Sequence, residues 1–379
     1  MSYERLTERA ALKAKLLAGA SLLMLAPRRI GKTWLLRKIR DDMAGEGWLC
    51  IKVNVEGKRS EDEFLHELCG EIEKTQDVKS RLFTHLTQRF KQACRDGTGS
   101  LQDIIGTINA RDLLEELIIA LAKEKQHTLI LIDEIALYVL ERAKQDPGAT
   151  FSLLHHLRKL QQDYPTVQWF LTGSVGLDVV ARRYNMAGAL LDYDSVGLEP
   201  FTADQARHYI THLQHDVRSV ASFEFAVGAF EHLVNELGWL SPYYLRQIAC
   251  LIQPATVAVL DESKPSAGID DVKRAIGRML DPNHRMHFSA WEEHIVKNFE
   301  PSDTALLRVI LDVLCEGKDG EREDTIQARL TQEGYEPAYR KMKDLLINLQ
   351  VDGFILLDRD RWAFRSGLLR RYWLEYMKQ

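Results

Sequence analysis

The sequence predicts an α/β fold in which a parallel sheet lies between helices, followed by a helical region and a small mixed unit. Short apolar strands alternate with amphipathic helices up to Pro200, a pattern typical of a parallel sheet with right-handed crossovers. From residue 201 to about residue 285 every periodic segment is helical. The rest of the chain combines helices with a hairpin. We therefore predict domains at residues 1–200, 201–285 and 286–379.

Bulk properties indicate an ordinary globular protein rather than a membrane, secreted or strongly basic one. The chain has 379 residues, a net charge of -5 and 28% charged residues. Its five cysteines form no CxxC pair, which favours structural thiols in a reducing compartment. The longest early apolar run, Leu16–Leu25, is shorter than the roughly 20 residues that span a bilayer. We expect a cytoplasmic protein with no membrane partner.

The first strands and helices form a βαβ unit. Apolar residues recur at helical spacing over Tyr3–Ala18, and a buried-type strand of five apolar residues covers Leu22–Ala26. A helix is predicted from Lys32 to about Met43, and a second strand over Trp48–Val55.

Further strands and helices complete the predicted sheet. Residues 58–125 are mostly helical by pattern, and a helix over Ser152–Asp163 separates two more buried strands. The remaining strands are predicted at Thr128–Ile132, Val167–Leu171 and near Ser195–Leu198.

The C-terminal region is predicted in two parts. Helical patterns fill residues 203–217, 223–238, 241–255 and 270–280 of the second domain. The third domain has three helices, a hairpin of Phe354–Leu357 with Trp362–Phe364, and a last helix over Leu368–Met377. Three helices followed by a two-stranded wing match a winged-helix domain.

A phosphate-binding loop follows the first strand. The run APRRIGKT fits GxxxxGK[ST] at every fixed position except the first, where alanine leaves the backbone N–H groups in place. Such a loop encloses phosphates with main-chain N–H groups at a helix N-terminus. We assign Lys32 to the β- and γ-phosphates of ATP and Thr33 to Mg²⁺. The predicted nucleotide-binding residues are Ala26, Pro27, Arg28, Arg29, Ile30, Gly31, Lys32, Thr33 and Trp34.

A second motif supplies the acids that a P-loop ATPase needs. The buried strand at residues 128–132 ends directly in Asp133 and Glu134. We predict that Asp133 holds Mg²⁺ through water, and that Glu134 orients and deprotonates the attacking water. Lys32 and Glu134 are thus predicted catalytic residues. The alternative is an acidic cap of the next helix, but together the two motifs predict a P-loop NTPase core.

A third strand ends in small polar residues, Thr172-Gly173-Ser174. Strands of such a sheet release polar side chains toward the γ-phosphate at this edge. Ser174 is the predicted sensor of the γ-phosphate and the third predicted catalytic residue, with Thr172 as the second choice for the sensor. Both hydroxyls could instead cap the following helix.

Several of these segments together resemble a known family. They are the loop at 26–33, LILIDE at 129–134, FLTGS at 170–174, the junction Leu198–Thr202 and the closing segment 364–373. These segments resemble the archaeal-type ATPase family, within the STAND/AAA+ group of P-loop NTPases, over nearly the whole chain. The order of ATPase core, helical lid and winged helix also looks like the origin-recognition type initiators.

The resemblance implies a nucleotide switch in which ATP sits between core and lid. A Gly-x-Pro-like lid element matches Gly238–Pro242 with extended spacing, so the family assigns Pro242 to the nucleotide. Arg246, one turn later, is then a sensor-type arginine or else a surface residue. The resemblance also implies an arginine finger that acts on the ATP of a neighbouring subunit in a homo-oligomer, and Arg182 and Arg183 are the candidates for it.

The motifs identify the chemistry and leave three functions open. The first is a switch that recruits a protein partner or effector, and family relatives are linked to defence and mobile elements. The second is a DNA-binding ATPase acting through the winged helix, and the third is a small-molecule kinase. Residues 301–379 contain 13 Lys/Arg and 14 Asp/Glu, without the positive excess typical of DNA-binding modules. A local basic cluster remains, either a DNA footprint or a solvated face: Arg359, Arg361, Arg365, Arg370 and Arg371.

Overall fold

A parallel five-stranded sheet forms the N-terminal part of the protein. The computed structural model describes residues 3–74, 109–124, 126–173, 176–254, 265–336 and 338–378. The strand order is β2-β3-β4-β1-β5, and all four pairings are parallel. The strands are β1 Ser21–Leu25, β2 Leu49–Asn54, β3 Thr128–Asp133, β4 Val167–Gly173 and β5 Tyr193–Gly197. The predicted α/β fold with a parallel sheet is confirmed.

Helices connect and cover these strands. Their labels follow chain order over the described residues: α1 Leu6–Leu17, α2 Lys32–Gly45, α3 Glu61–Glu73, α4 Ala110–Ala122, α5 Ile135–Gln145, α6 Pro147–Asp163 and α7 Leu177–Arg183. A 3-10 turn covers Ala187–Leu190. Every residue of β3 and β4 is buried, as expected for central strands covered on both faces.

The C-terminal part is mainly helical. Its helices are α8 Ala203–Asp216, α9 Ala229–Leu237, α10 Pro242–Leu251, α11 Ile269–Leu280, α12 Met286–Asn298, α13 Pro301–Glu316, α14 Glu323–Gln332, α15 Tyr339–Val351 and α16 Gly367–Tyr372. A 3-10 turn covers Pro282–His284. Two small sheets accompany them: β6 Glu224–Phe225 with β7 Ser266–Ala267, and the antiparallel hairpin of β8 Ile355–Asp358 with β9 Arg361–Phe364.

The chain divides into two compact units. The first, here called the sheet unit, contains Leu6–Ala26 and Lys32–Leu198. The second, the C-terminal unit, contains the described residues of Met1–Arg5, Pro27–Gly31 and Glu199–Gln379. The segment Pro27–Gly31 therefore packs with residues distant in sequence. The division of residues 201–379 into a lid and a winged helix stays a prediction.

Some element boundaries differ from the sequence patterns. The helix expected across 223–238 begins only at Ala229, because Gly228 precedes it with a φ of +77° that a helix cannot contain. Pro147 opens α6 at its first position, and Asp146 caps it by accepting from the N–H of Ala149 at 2.8 Å. A separate helix, α5, thus fits between β3 and α6, and α12 was likewise not predicted.

Two other expectations on helices have different outcomes. The last predicted helix changes to a π-helical turn over Trp373–Met377 after α16. The helices expected within residues 75–108 lie outside the described residues. Among the described helices, none is long and apolar enough to cross a membrane.

Candidate nucleotide-binding site

The phosphate-binding loop connects β1 to α2. Lys32 is the first residue of α2, is only 6% exposed, and donates from Nζ to the carbonyl of Ala26 at 2.8 Å. The ammonium group thus folds back along the loop, where a helix N-terminus already favours an anion. Thr33 follows it and is exposed at the same helix end. A hydroxyl there can reach solvent or a bound cation.

The loop backbone alternates between ordinary and left-handed conformations. Arg29 has a φ of +66° and Gly31 a φ of +99°. Such alternation turns successive N–H groups toward one point and forms a concave anion site. Glycine adopts this conformation freely, whereas at Arg29 it costs on the order of 1 kcal/mol and must be stabilised by its surroundings.

Asp133 is a buried carboxylate at the end of β3. It is 1% exposed, and its Oδ1 accepts a hydrogen bond from Thr172 Oγ1 at 2.8 Å. Lys52 Nζ lies 3.6 Å from its Oδ2. Among the described residues, Oδ2 has no hydrogen-bond partner. A buried acceptor left in this state is costly, so this oxygen fits a ligand such as a metal-bound water.

The strand order explains why Thr172 and Asp133 meet. β4 lies between β1 and β3, so the end of β4 separates the loop strand from the acidic strand. Thr172 is paired with Met24 of β1 on one side, and it reaches Asp133 of β3 on the other. Ligands of open parallel sheets bind at this carboxyl edge. Ser174, the predicted sensor, lies outside the described residues.

Glu134 occupies a strained turn directly after Asp133. It precedes α5 with a φ of +61° and a ψ of 26°, in the left-handed region, and its side chain makes no cap hydrogen bond to that helix. This argues against the alternative in which Glu134 is merely a helix cap. A non-glycine residue in this conformation is uncommon and clusters at functional sites.

Other predicted residues have ordinary surroundings. Trp34 is half-buried, with the Lys38 ammonium 5.6 Å from its ring centre. Arg28 is half-buried, and its Nε has no hydrogen-bond partner among the described residues. Arg182 pairs with Asp178 within α7 at 2.7 Å. The role of each toward nucleotide stays a prediction, as it does for Arg183.

Pro242 and Arg246, the two residues of the predicted lid, have different surroundings. Pro242 opens α10, and its Cγ lies 3.9 Å from where a Cβ on Gly31 would stand, so it packs on the phosphate-binding loop. Arg246, one turn later, is exposed. Burial raises the pKa of Tyr209, and the nearby positive charge of Arg246 partly opposes this rise. Pro242 thus contacts the phosphate-binding loop and Arg246 is exposed, and the role of each toward nucleotide stays a prediction.

Comparison with known proteins supports this picture of the core. Residues 18–179 match the model of a family described as an AAA domain. The Walker-type ATPase PABY2304 of Pyrococcus abyssi has a similar structure with a TM-score of 0.68 and 19% identity, over 97% of this chain and 95% of that one. The core has an AAA-type P-loop NTPase fold.

Weaker structural similarities extend to two ORC proteins of Aeropyrum pernix. The ORC2 protein of Aeropyrum pernix, in ADPNP–ADP complexes, has a TM-score of 0.43 and 14% identity over 99% of this chain and 95% of that one. The ORC1 protein of Aeropyrum pernix, in complex with DNA, has a TM-score of 0.41 and 13% identity over 98% and 92%. No curated protein sequence matches the chain.

Two residues of this AAA-type core and its loop were missed by sequence reasoning. Lys52 is a charged residue within an apolar strand, a visible signal, but its partner depends on β2 lying beside β3. Arg5 is 1% exposed and donates to the carbonyl of Ile30 in the loop at 3.2 Å. Nothing in the local sequence around Arg5 indicates that contact.

Proposed function

We propose that the chain binds ATP with Mg²⁺, hydrolyses it, and acts as a conformational switch that couples the nucleotide state to a protein partner or effector. The observation that supports this most is Asp133, a buried carboxylate with one oxygen held by Thr172 and the other without a hydrogen-bond partner among the described residues. Lys52 lies 3.6 Å from the second oxygen, but a buried ion pair is weak evidence for a purely stabilising role. A divalent cation with its water gives a reason for the buried charge.

The residues at the edge of the sheet fit magnesium. Mg²⁺ prefers oxygen ligands and keeps several waters, so it takes one or two protein ligands in addition to phosphate oxygens. The hydroxyl of Thr33 and the carboxylate of Asp133 are the residues that would hold it. When bound, Mg²⁺ neutralises charge on the β- and γ-phosphates.

Each remaining residue has one role in the proposed hydrolysis. Lys32 places a positive charge on the phosphates, and the loop N–H groups orient them. Glu134 accepts the proton of the attacking water, because its carboxylate follows directly on Asp133. Thr172 fixes the rotamer of Asp133 and is a positioning residue.

Calorimetry and phosphate release test the ATPase proposal. Wild type and a Lys13→Ala control, which removes a surface ion pair with Glu46, should bind Mg-ATP. Lys32→Ala should show no heat of association, and Glu134→Gln should bind ATP while turnover falls by about 10² or more. Unchanged turnover in Glu134→Gln would remove that residue from the mechanism. Release of free phosphate without a phosphorylated metabolite counts against the kinase alternative.

The arginine cluster near the C-terminus favours a protein partner over DNA. Three of its members donate to main-chain carbonyls of their own unit: Arg361 to Gly320 at 3.1 Å, Arg365 to Gln350 at 3.1 Å and Arg370 to Cys315 at 2.6 Å. Arg371 pairs with Glu236. Guanidinium groups used in this way stabilise the unit and are poorly placed to displace counterions from duplex DNA.

We further propose that residues 286–379 form a winged-helix domain. Helices α13, α14 and α15 precede the hairpin, and an isolated antiparallel bridge joins Glu321 to Trp362 of its second strand. A winged helix also serves protein contacts, so this does not require DNA. The resemblance to archaeal-type ATPases supports an effector linked to defence or mobile elements.

Two experiments separate the protein-partner and DNA alternatives. Affinity purification of Glu134→Gln with ATP should enrich a partner that Lys32→Ala does not retain. Binding of the full chain to duplex DNA should be absent at low salt. Salt-dependent binding that weakens on neutralising Arg359, in the turn of the hairpin, would favour the DNA-binding ATPase instead.

A further inference from the structure

Arg29 of the phosphate-binding loop is enclosed by aromatic residues of the C-terminal unit. Its Nη1 donates to the hydroxyl of Tyr244 at 2.9 Å and also to the carbonyl of His287. The guanidinium carbon lies 4.2 Å from the ring centre of Tyr243. A planar cation stacked on an aromatic ring and donating to two oxygens has little freedom to move.

The loop backbone is held by the same part of the molecule. Ser241 is fully buried, and its Oγ donates to the carbonyl of Arg29 at 2.7 Å. Arg5 donates to the carbonyl of Ile30, the next residue, at 3.2 Å. Two consecutive carbonyls of the loop, those of Arg29 and Ile30, therefore accept hydrogen bonds from side chains that lie outside the loop. These bonds offset the cost of the left-handed conformation at Arg29.

A hydrogen-bonded relay leads from Arg29 into α12. The hydroxyl of Tyr244 accepts from Arg29 and also from Trp291 Nε1, at 2.6 Å. Burial raises the pKa of Tyr244 to about 12, so the hydroxyl stays protonated at neutral pH. Trp291 is 1% exposed and packs edge-on against Trp239 and Phe354. A shift of the loop would therefore change the surroundings of a buried indole.

We propose that Arg29 is a positioning residue that fastens the phosphate-binding loop to Ser241–Tyr244 and α12, and that this contact transmits nucleotide occupancy to α12. The inference rests on the proposed nucleotide binding and identifies the contacts that would carry its effect from the loop to α12. In this role Arg29 acts through the loop backbone and does not touch phosphate. By reciprocity, whatever displaces Ser241–Tyr244 or α12 weakens nucleotide binding.

Tryptophan fluorescence reports on the relay directly. The signal of Trp291 is the part of the Mg-ATP-induced change in emission that wild type shows and Trp291→Phe lacks. Arg29→Met should bind Mg-ATP about tenfold more weakly, because it removes the charge-assisted hydrogen bonds that hold the loop in place. At saturating nucleotide it should still lack the Trp291 signal. Tyr244→Phe, which keeps the ring and removes the hydroxyl, should lack it too. Arg37→Met, an exposed arginine of α2, should keep it.

The outcomes distinguish this inference from the proposed function. Absence of calorimetric binding by wild type overturns nucleotide binding itself. Binding by wild type with a Trp291 signal that persists in saturated Arg29→Met and Tyr244→Phe overturns the relay alone. Arg29→Lys gives a further check. It keeps the charge but loses the flat stacking surface and the planar donor geometry of the guanidinium group, so full recovery of affinity would indicate direct contact with phosphate.

Discussion

Replacing Thr172 by valine tests how the acidic strand end is organised. The substitution keeps the shape of the side chain and removes the hydroxyl that donates to Asp133 Oδ1 at 2.8 Å. A hydrogen bond to a charged group contributes about 1.5–3 kcal/mol, and here it serves a carboxylate that is 1% exposed. We expect Thr172→Val to lose about 2 kcal/mol of unfolding free energy. For a unit of 150–250 residues this lowers Tm by roughly 4–8 °C.

Thr172→Val should also weaken the apparent affinity for Mg²⁺ in the ATPase reaction. Residues that orient a metal-binding carboxylate typically contribute 10- to 100-fold to metal affinity or activity. The Mg²⁺ concentration for half-maximal ATPase should therefore rise by about tenfold or more in Thr172→Val. Thr172→Ser keeps the donor and should lie close to wild type in both measurements.

Thr128 is a matched control on the neighbouring strand. It is also fully buried, but its Oγ1 has no hydrogen-bond partner among the residues that the structure describes. Thr128→Val should be neutral or slightly stabilising, because it removes an unsatisfied buried polar atom. Equal loss of stability in Thr128→Val and Thr172→Val, or equal Mg²⁺ dependence in Thr172→Val and wild type, would refute the role assigned to Thr172.

Two further predictions concern the contacts of the phosphate-binding loop. Gly353 has a φ of +89°, and an added Cβ would stand 2.5 Å from Cβ of Pro27, so Gly353→Ala should destabilise the protein and weaken Mg-ATP binding. Gly334 has a φ of +83° with nothing within 4 Å, so Gly334→Ala should show the backbone strain alone, measured by thermal unfolding and calorimetry. Burial, with smaller contributions from nearby positive charges, holds the pKa of His287 below its ordinary value of 6.5. The neutral form is thus favoured in the folded state. The contribution of His287 to the free energy of unfolding is therefore present above pH 6.5 and is lost as the pH falls from 6.5 through the lower pKa of the folded state. Wild type should lose more unfolding free energy than His287→Gln between about pH 7 and 5.5 in urea titrations, and equal losses would contradict this.

The fold class was predictable because its signals are local. Buried parallel strands appear as continuous apolar runs, and β3 and β4 were predicted from Thr128–Ile132 and Val167–Leu171 alone. The boundaries that failed depend on single residues. Gly228 delays α9, and Pro147 separates α5 from α6, whereas hydrophobic periodicity averages over such positions.

The sequence predicted those residues of the candidate site that lie within one motif, but not the contacts between residues of distant segments. Fixed spacing identifies Lys32 and Asp133, because a loop and a strand end each carry their own pattern. Lys52 approaches Asp133 only because β2 pairs with β3, and no spacing within one segment encodes that. The enclosure of Arg29 by residues more than 200 positions away is beyond local reasoning for the same reason.

Asp133 is a buried carboxylate whose surroundings do not maximise the stability of the fold. Removing one partner of a buried charge is strongly destabilising, yet replacing the whole group by apolar residues is often neutral. Asp133 and Lys52 stand 3.6 Å apart without a hydrogen bond on Oδ2, so this pair is far from the best arrangement for stability. The positive charge of Lys52 offsets part of the negative charge of Asp133, but its Nζ donates no hydrogen bond to Oδ2. A buried carboxylate with an oxygen left without a hydrogen bond can still accept one from a metal-bound water, which is the property that the proposed magnesium site needs.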